Sequence, residues 1–539
     1  MAIVCFFTME EIALCLSGGG YRAAMYHLGV ISFLNEIRTP DGTPLLDHIH
    51  TITCISGGAL PGLKYILGEI DEIDRTETVK SLYRDLVENN LGEQLLKKYG
   101  IESLKGKSLI RVLSDVYDET FFKGRKFGEI LEFMEWDKIH HFAVDSTDFA
   151  TGKPFRFQAT AKIEKEGRRE PYGVIGNRIN RIHRDTAMNI RIADIMACTS
   201  CFPLVFEPMA YPEDFTFDTQ ISDDQFKTYT LMDGGLVDNQ GIDPAIHANK
   251  HLDSIKKSMD IIIISDAGIA GNQNDSFIKS SFIFSEWTPR RLQTVLFIFA
   301  TLSLIISFLA NSYPFIAGVS FTLSLLLTAL NNLLSSVSKK IFSVAEKELK
   351  FKISDNDFFW KNKLGNIWDF VRTRLGTAYR MVDFVMMGHI KRKTLNSLYT
   401  DEDWQNKVII DTLSAFAQDD IWKRVLKKDW LHNNSYKPGK RMRTVSLKAS
   451  SMGTTLWFTR DEIEKEIPKA IFACGQYTTC WNLILFAERI QNKVNTDSNF
   501  TVSEGQNLIL NLLPVLKGSW NRFQNNPYCL TSKFTNEHE

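Results

Sequence analysis

Two periodicities alternate along the first part of this chain. Ile12–Leu16 is a short unbroken apolar run, and from Tyr21 to Ile37 apolar residues recur at helical spacing, Ala24, Leu28, Ile31 and Leu34 among them. Ser17-Gly18-Gly19-Gly20 separates the two segments, and Thr39-Pro40-Asp41-Gly42 closes the helix. The same order repeats at once: a strand over His50–Ile55, the turn Ser56-Gly57-Gly58, and a helix from about Pro61 to Ile70, where a proline is tolerated in the first turn. The spacing then predicts helices across 77–135, a strand over His141–Thr147, a Gly-Lys-Pro turn at 152–154 and a further short strand. Asp260–Ser265 contains four consecutive isoleucines, the continuous apolar run of a parallel strand buried on both faces. Strands alternating with helices imply an α/β fold around a mostly parallel sheet. There is no internal repeat and no low-complexity tract.

One stretch breaks this alternation. Leu292–Ala310 is 19 residues without a formal charge, and a second uncharged run, Pro314–Leu334, follows after Asn311-Ser312-Tyr313. A membrane-spanning helix needs about 20 such residues, so the pair predicts a transmembrane helical hairpin over 290–336. Arg290 and Arg291 precede it and Lys339 and Lys340 follow it, which places both outer ends on the cytoplasmic side by the positive-inside tendency. The competing expectation is a pair of buried core helices, since Ser and Thr recur in both runs. Beyond the hairpin, 341–349 and 367–395 carry helical, charged patterns.

Composition narrows the function. The chain has 539 residues, with 63 Lys and Arg against 64 Asp and Glu, a balance that argues against a nucleic-acid partner. The start, Met1 to Thr8, is apolar but lacks a basic segment, and Glu10 and Glu11 follow, so no secretory signal is expected. The eight cysteines are scattered in apolar surroundings, as expected of reduced thiols in the cytoplasm. Cys198 and Cys201 form one C-x-x-C pair without a partner pair or a spaced histidine, so neither zinc nor any other metal or cofactor is expected.

Three constellations carry chemistry. Ser17-Gly18-Gly19-Gly20-Tyr21-Arg22 lies between strand and helix, where glycines admit close approach and helix N–H groups favour negative charge. It lacks the spacing of a dinucleotide or phosphate loop. Cys54-Ile55-Ser56-Gly57-Gly58 has the small flanking residues of a nucleophile elbow, although a serine there could equally cap the helix. Asp233-Gly234-Gly235 follows a short apolar run, and an aspartate on such a turn could supply the base that a weakly nucleophilic serine needs. Isolated histidines carry less: His27, in the first helix, and the pair His140-His141 are expected to pack rather than react.

Taken in order, these three motifs resemble the patatin-like phospholipase family. Ala197-Cys198-Thr199-Ser200-Cys201-Phe202-Pro203 and Asp148–Phe157, with Thr151-Gly152-Lys153-Pro154, fit the resemblance as well. Arg380 with Lys391-Arg392-Lys393, and the segment from Glu462 to Ile484, fit it more loosely. The resemblance implies a patatin-like three-layer α/β/α fold with a catalytic core over 11–275, the inserted hairpin (292–310 and 314–334), a helical return over 340–490 and a C-terminal extension over 491–539. It implies a serine–aspartate pair that cleaves acyl esters of phospholipids or lysophospholipids. Ser56 would be the nucleophile and Asp233 the general base. Gly18, Gly19 and Gly20 would form the oxyanion hole, and Arg22 would bind substrate or support the loop. The expected partners are the bilayer and its phospholipid. Two departures stand out: Ser17 opens the first motif, and Cys54 stands where the elbow usually has glycine. The second keeps open a catalytically weak membrane-tethered scaffold, and acyl transfer in place of hydrolysis is the other alternative.

Overall fold

The computed structural model describes residues 10–136, 138–165, 168–171, 173–217, 227–255, 257–268, 285–310, 312–349, 361, 363–428, 431 and 436–535. The N-terminal run Met1–Thr8 and the stretch Gly271–Asp275 lie outside these residues.

Eight strands build the main sheet: β1 (Ile12–Leu16), β2 (Ile49–Ile55), β3 (His141–Asp148), β4 (Lys153–Thr160), β5 (Met209–Tyr211), β6 (Tyr229–Asp233), β7 (Ile261–Asp266) and β8 (Val408–Thr412). Its centre is parallel, in the order β8–β7–β1–β2–β3, and β4 closes one side antiparallel to β3. Two two-residue strands, Ile175–Gly176 and Arg181–Ile182, extend that edge. β6 runs antiparallel to both β3 and β5. The four isoleucines thus fall in β7, which is buried throughout, as a strand flanked on both sides and covered on both faces must be.

The alternation of side chains along β1 divides two cores. Ile12, Leu14 and Leu16 face the larger one and Ala13 and Cys15 the smaller. Helices α1 (Gly20–Glu36), α2 (Ala59–Ile70), α3 (Ile192–Thr199) and a long α8 (Ile467–Thr496) contribute to the larger core. Helices α4 (Ile242–Ser254) and α7 (Met387–Thr400) cover the other face through Ile242, Ala245, Leu252 and Leu398. The chain is therefore a mixed α/β sheet with helices on both faces. Residues 491–539, expected as an extension, supply Ile509, Leu516, Trp520 and Phe523 to the larger core.

Contacts divide the chain into one unit of residues 1–271 with 382–539, and a second of residues 272–381. The second unit thus includes 340–381, which the sequence pattern had joined to the helical return. It contains α5 (Pro289–Leu309) and α6 (Pro314–Leu349). The separate helix expected at 341–349 is the end of α6, a single helix of 36 residues, because no glycine or proline interrupts it after Leu334. Polarity in this pair is reversed from that of a water-soluble protein. Phe308, Leu309 and Phe315 are 75%, 80% and 83% exposed, whereas Ser303 and Ser324 are buried. The hydroxyl of Ser307 donates to the Ala317 carbonyl and that of Ser324 to the Ala300 carbonyl, each at 2.8 Å, so the small polar residues join the two helices.

α8 has the length and apolarity of a spanning helix too, but 94% of its most apolar window is buried, against 11% for α5 and 6% for the start of α6. It crosses α1 at two facing glycines. A methyl group on Gly29 would collide with the Phe472 carbonyl, and one on Gly475 would collide with the Tyr26 carbonyl and lie 2.9 Å from the Val30 nitrogen. Backbone meets backbone here, with no flexible side chain to yield. Gly475→Val should therefore destabilise the fold by about 1–3 kcal/mol or more, read as a lower urea midpoint, while Gly453→Ala, where a methyl meets nothing, should leave the midpoint unchanged.

Candidate active site

Strand β3 carries two other strands on the same flank, end to end. β2 runs parallel to it and finishes with Ile55 opposite Asp145. β6 comes from the other direction and finishes with Asp233 opposite Ser146, the next residue. Ser56 and Asp233 are thus the first residue beyond one strand and the last residue of another, converging on adjacent rungs of β3. The Ser56 hydroxyl donates to Asp233 Oδ2 at 2.8 Å. Both residues are buried, Ser56 at 8% exposure and Asp233 at 2%.

Ser56 has φ +48°, a left-handed conformation that a non-glycine residue adopts at some expense. Two features hold it there. Its N–H donates to Thr199 Oγ1 at 2.8 Å, and the Thr199 hydroxyl in turn donates to the Asp145 carbonyl at 2.5 Å. Gly57 and Gly58 pack directly against the backbone of Gly20 and of Leu16 and Ser17, leaving no room for a side chain. The concern over Cys54 has a local answer in Gly62 of α2. Any side chain at Gly62 would collide with the Cys54 thiol, so Gly62 vacates the volume that Cys54 fills, and Ser56 keeps its left-handed turn. Asp233 is oriented by the Gly235 N–H, which donates to its Oδ1 at 2.8 Å, and by Thr147, whose hydroxyl donates to its carbonyl at 2.8 Å.

The glycine turn leaves the C-terminal end of β1, which lies between β2 on one side and β7 on the other, the kind of strand end where open α/β sheets bind ligands. The three glycines differ. The Gly18 N–H donates to the Asn239 carbonyl at 2.9 Å and is therefore already committed. The N–H groups of Gly19 and Gly20 have no hydrogen-bond partner among the described residues. Gly19 has φ +141° and Gly20 φ +60°, and both precede or open α1, whose N-terminus favours negative charge. Arg22 is buried and grips backbone: its Nε donates to the Ala267 carbonyl at 3.1 Å and Nη1 to the Met452 carbonyl at 2.8 Å. Of the two roles expected for it, this geometry serves the loop.

His27 does more than pack. Its Nε2 lies 2.9 Å from the Ser17 carbonyl, which can only accept, so the proton sits on Nε2 and Nδ1 accepts from the Ser265 hydroxyl at 2.8 Å. The Ser17 hydroxyl accepts from the Ala267 N–H at 2.9 Å, so Ser17 in the first motif stitches the ends of β1 and β7 together. Burial pushes the His27 pKa down to about 4. Asp238, a second carboxylate near the turn, accepts the Asp243 and Gln240 N–H groups at 2.6 and 3.0 Å at the start of α4, which commits it away from Ser56; burial raises its pKa to about 6. His140 and His141 lie at the opposite end of the sheet, where His140 meets Glu11 at 2.7 Å. Cys198 and Cys201 are buried separately, against Met209 and the Glu207 carbonyl. Lys391 of α7 pairs with Asp266 at the end of β7.

Sequence reasoning did not assign Thr199 or Asn239 to the site. Thr199 lay in a segment noted only for resemblance, and Asn239 four residues after Gly235; neither side chain has a spacing that signals its position.

Residues 14–246 match the family model described as Patatin-like phospholipase. Solved structures similar to the chain include human GIVD cytosolic phospholipase A2 in complex with methyl gamma-linolenyl fluorophosphonate, at 16% identity and TM-score 0.31, covering 48% of this chain and 40% of that one. The same enzyme with that inhibitor and terbium chloride matches at 17% identity and TM-score 0.27, over 36% of this chain and 30% of that one. The chain thus spans well under half the length of these structures. No curated protein matches it.

The His27 geometry has a pH consequence. Its folded-state pKa of about 4 lies below the ordinary 6.5, so between those values the unfolded chain binds a proton that the folded chain does not. Stability from this group is full above pH 6.5 and is lost as pH falls through about 4. His27→Gln should flatten the decline of the urea midpoint between pH 6.5 and 4 relative to the parent protein, and an unchanged slope would refute a neutral buried His27.

Proposed function

We propose that this chain, whose residues 14–246 match the patatin-like phospholipase model, is a membrane-anchored hydrolase of phospholipid or lysophospholipid acyl esters. The observation that carries the reading is the 2.8 Å hydrogen bond from the Ser56 hydroxyl, on its left-handed turn, to the Asp233 carboxylate. Ser56 Oγ attacks the acyl carbonyl carbon while Asp233 takes the hydroxyl proton. The carbonyl electron pair moves onto oxygen, which faces the open N–H groups of Gly19 and Gly20; such donors are worth roughly 2.7–4 kcal/mol each in the transition state. Collapse breaks the ester C–O bond, and Asp233 returns the proton to the departing alcohol. Water, deprotonated by Asp233, then attacks the acyl carbon; the bond to Ser56 Oγ breaks, Asp233 returns the proton to Oγ, and the fatty acid is released. Gly18 leaves the oxyanion set in this reading because its N–H is bonded to Asn239.

What supports the membrane anchor is the reversed polarity of α5 and α6, apolar outside and serine-bonded inside. Two spanning helices with basic residues at their outer ends keep the catalytic domain on the cytoplasmic side and hold it near lipid substrate, raising the effective concentration.

Ser56→Ala should abolish ester hydrolysis and fluorophosphonate labelling with the urea midpoint unchanged. Asp233→Asn should lower kcat by orders of magnitude with little change in KM, since an amide cannot accept the serine proton. Substantial turnover by either folded variant would overturn the assignment.

Replacing Leu292–Leu334 by a short polar linker should give a protein that leaves the membrane fraction and still cleaves a soluble short-chain ester. Its rate on bilayer phospholipid should fall sharply. Extraction of the intact protein by alkaline wash would instead refute membrane spanning.

A further inference from the structure

Two groups of bulky apolar side chains face water beside the site without belonging to it. The first is on the helix Leu91–Glu102 and the short turn Ser103–Lys105 that continues it. Leu91 and Leu95 are buried, as one face of an amphipathic helix requires, but Leu96, Ile101 and Leu104 stand in solvent, Leu104 at 88% exposure. Lys97 and Lys105 are exposed among them. The second group is on the turn after α3. Cys201 and Phe206 are buried at its ends, and the Val205 and Phe206 N–H groups donate to the Phe202 carbonyl at 3.3 and 3.1 Å. The turn so fixed keeps Leu204 and Val205 exposed, with Leu204 at φ +70°. A left-handed backbone is strained for a side chain of this size, and leaving that side chain in water is a second cost.

Both groups lie on one rim. The Tyr21 hydroxyl, in the first turn of α1, donates to the Asn89 carbonyl at 3.4 Å, two residues before the helix begins. Gly92, in the helix, packs so closely on Trp457 that a methyl group would collide with the indole, and Thr455 of the same loop accepts the Tyr21 N–H at 2.8 Å. The helix therefore starts beside the glycine turn. Past its end, the Ser108 hydroxyl donates to Asp214 at 2.9 Å and the Leu109 N–H to the Glu207 carboxylate, which ties it to the segment leaving the Leu204 turn. That turn starts at Cys201, whose carbonyl takes the Asp233 N–H at 3.0 Å. Helix and turn thus border the candidate site from its glycine side to its aspartate side.

We propose that the Leu91–Glu102 helix with its following turn, and the Leu204–Val205 tip, form a bilayer-docking surface. It seats Leu96, Ile101, Leu104, Leu204 and Val205 in the acyl boundary of an anionic leaflet and sets the mouth of the site on it. This rests on the lipid-hydrolase reading and adds to the hairpin a second membrane contact, made by the catalytic unit itself. Two observations name the occupant. A substrate that is itself a lipid has to leave the leaflet for Ser56, so the rim of the site is the surface that must meet it. The charges on the rim also suit anionic headgroups. Lys97, Lys98, Lys105 and Lys107 stand against Glu93 and Glu102 in this stretch. Lys98 pairs with Glu119, Lys107 with Glu102 and Asp115, and Lys105 with Glu102. Lys97 and Lys105, exposed beside the apolar residues, can lay their stems along the acyl boundary and place their ammonium groups among phosphates. The Glu207 and Asp214 carboxylates are engaged by Leu109 and Ser108.

The test uses the full-length protein in nanodiscs of phosphatidylcholine and phosphatidylserine. A nitrobenzoxadiazole label is placed at Leu104→Cys in a Cys5→Ser, Cys529→Ser background, since the remaining cysteines are buried. Lipids with nitroxide-labelled acyl chains should quench it strongly, and should barely quench the same label at Val515→Cys, an exposed position on the helix Leu513–Asn525. The triple variant Leu96→Gln, Ile101→Gln, Leu104→Gln keeps good helix formers and should lose about tenfold or more of its rate on nanodisc phospholipid. Its rate on a soluble short-chain ester should stay that of the parent, which also shows that it folds. Omitting phosphatidylserine should slow the parent on nanodisc phospholipid by about fivefold for each lysine engaged. Equal quenching at positions 104 and 515 would overturn the proposal, and so would a parent-like bilayer rate in the triple variant or a parent rate indifferent to phosphatidylserine. So would a doubled mass in sedimentation that the triple variant abolishes, since the face would then belong to a second copy of the chain. The quenching needs no catalysis and can be read in Ser56→Ala. Quenching at position 104 in a protein that hydrolyses no ester sinks the hydrolase reading and keeps the membrane contact, whereas hydrolysis without quenching sinks only the docking surface.

Discussion

The register of β3 is the constraint from which the site follows. A strand offers one row of hydrogen-bonding groups on each flank, and on one flank of β3 that row is shared: β2 uses it up to Asp145 and β6 from Ser146 onward. Because the two partners run in opposite directions, both end at the same point, with Ser56 the first residue beyond one and Asp233 the last residue of the other. A shift of one residue in either pairing would turn the terminal side chain to the other face of the sheet and separate the pair. Burial of every residue of β2 and β3 makes such a shift expensive, so the core of the sheet sets the geometry of the hydrogen bond.

The glycine turn depends on a second, longer-range constraint. α1 begins at the turn and runs across α8 through Gly29 and Gly475, where helix backbones touch. That crossing fixes the axis of α1; Arg22 and Ser17 then fix its first turn by binding backbone groups far away in sequence, and His27 by bridging the nearby Ser17 carbonyl and the distant Ser265 hydroxyl. Preorganisation of this kind lets N–H groups aim at developing charge without moving at the moment of reaction. The Thr455 carbonyl, which accepts the Tyr21 N–H at 2.8 Å, belongs to the same frame. The C-terminal part of the chain therefore helps to frame the candidate site although its three motifs all lie before residue 246.

Two kinds of long apolar helix coexist here and their surroundings separate them. α8 has Tyr477 and Trp481 fully buried, with hydroxyl and indole groups bonded to Ser446 and to the Tyr436 carbonyl, as a helix inside a protein requires. α5 and α6 turn Phe, Leu and Ile outward and serine hydroxyls toward each other. In water this arrangement would leave an extended apolar surface exposed; in hydrocarbon it satisfies every one of those groups.

The sequence by itself determined the alternation of strands and helices, the two glycine-flanked turns, the apolar hairpin and the pairing of Ser56 with Asp233 as candidate partners. These were legible because each depends on local chemistry: period 2 against period 3.6, glycine where the backbone must turn sharply, and unbroken apolarity over the length of a bilayer. The tertiary structure alone decided that Gly18 gives its N–H to Asn239, that Arg22 and His27 brace the turn, that Gly62 makes room for Cys54, and that the last fifty residues fill the core. Each of these joins positions far apart in the chain or on facing elements. A contact of that kind depends on strand order, register and helix crossing, and leaves no periodic mark in the residues that make it. A single asparagine on a turn or a histidine on a buried helix has the same local pattern whether it braces a reactive loop or only fills space; the neighbours brought to it by folding make the difference.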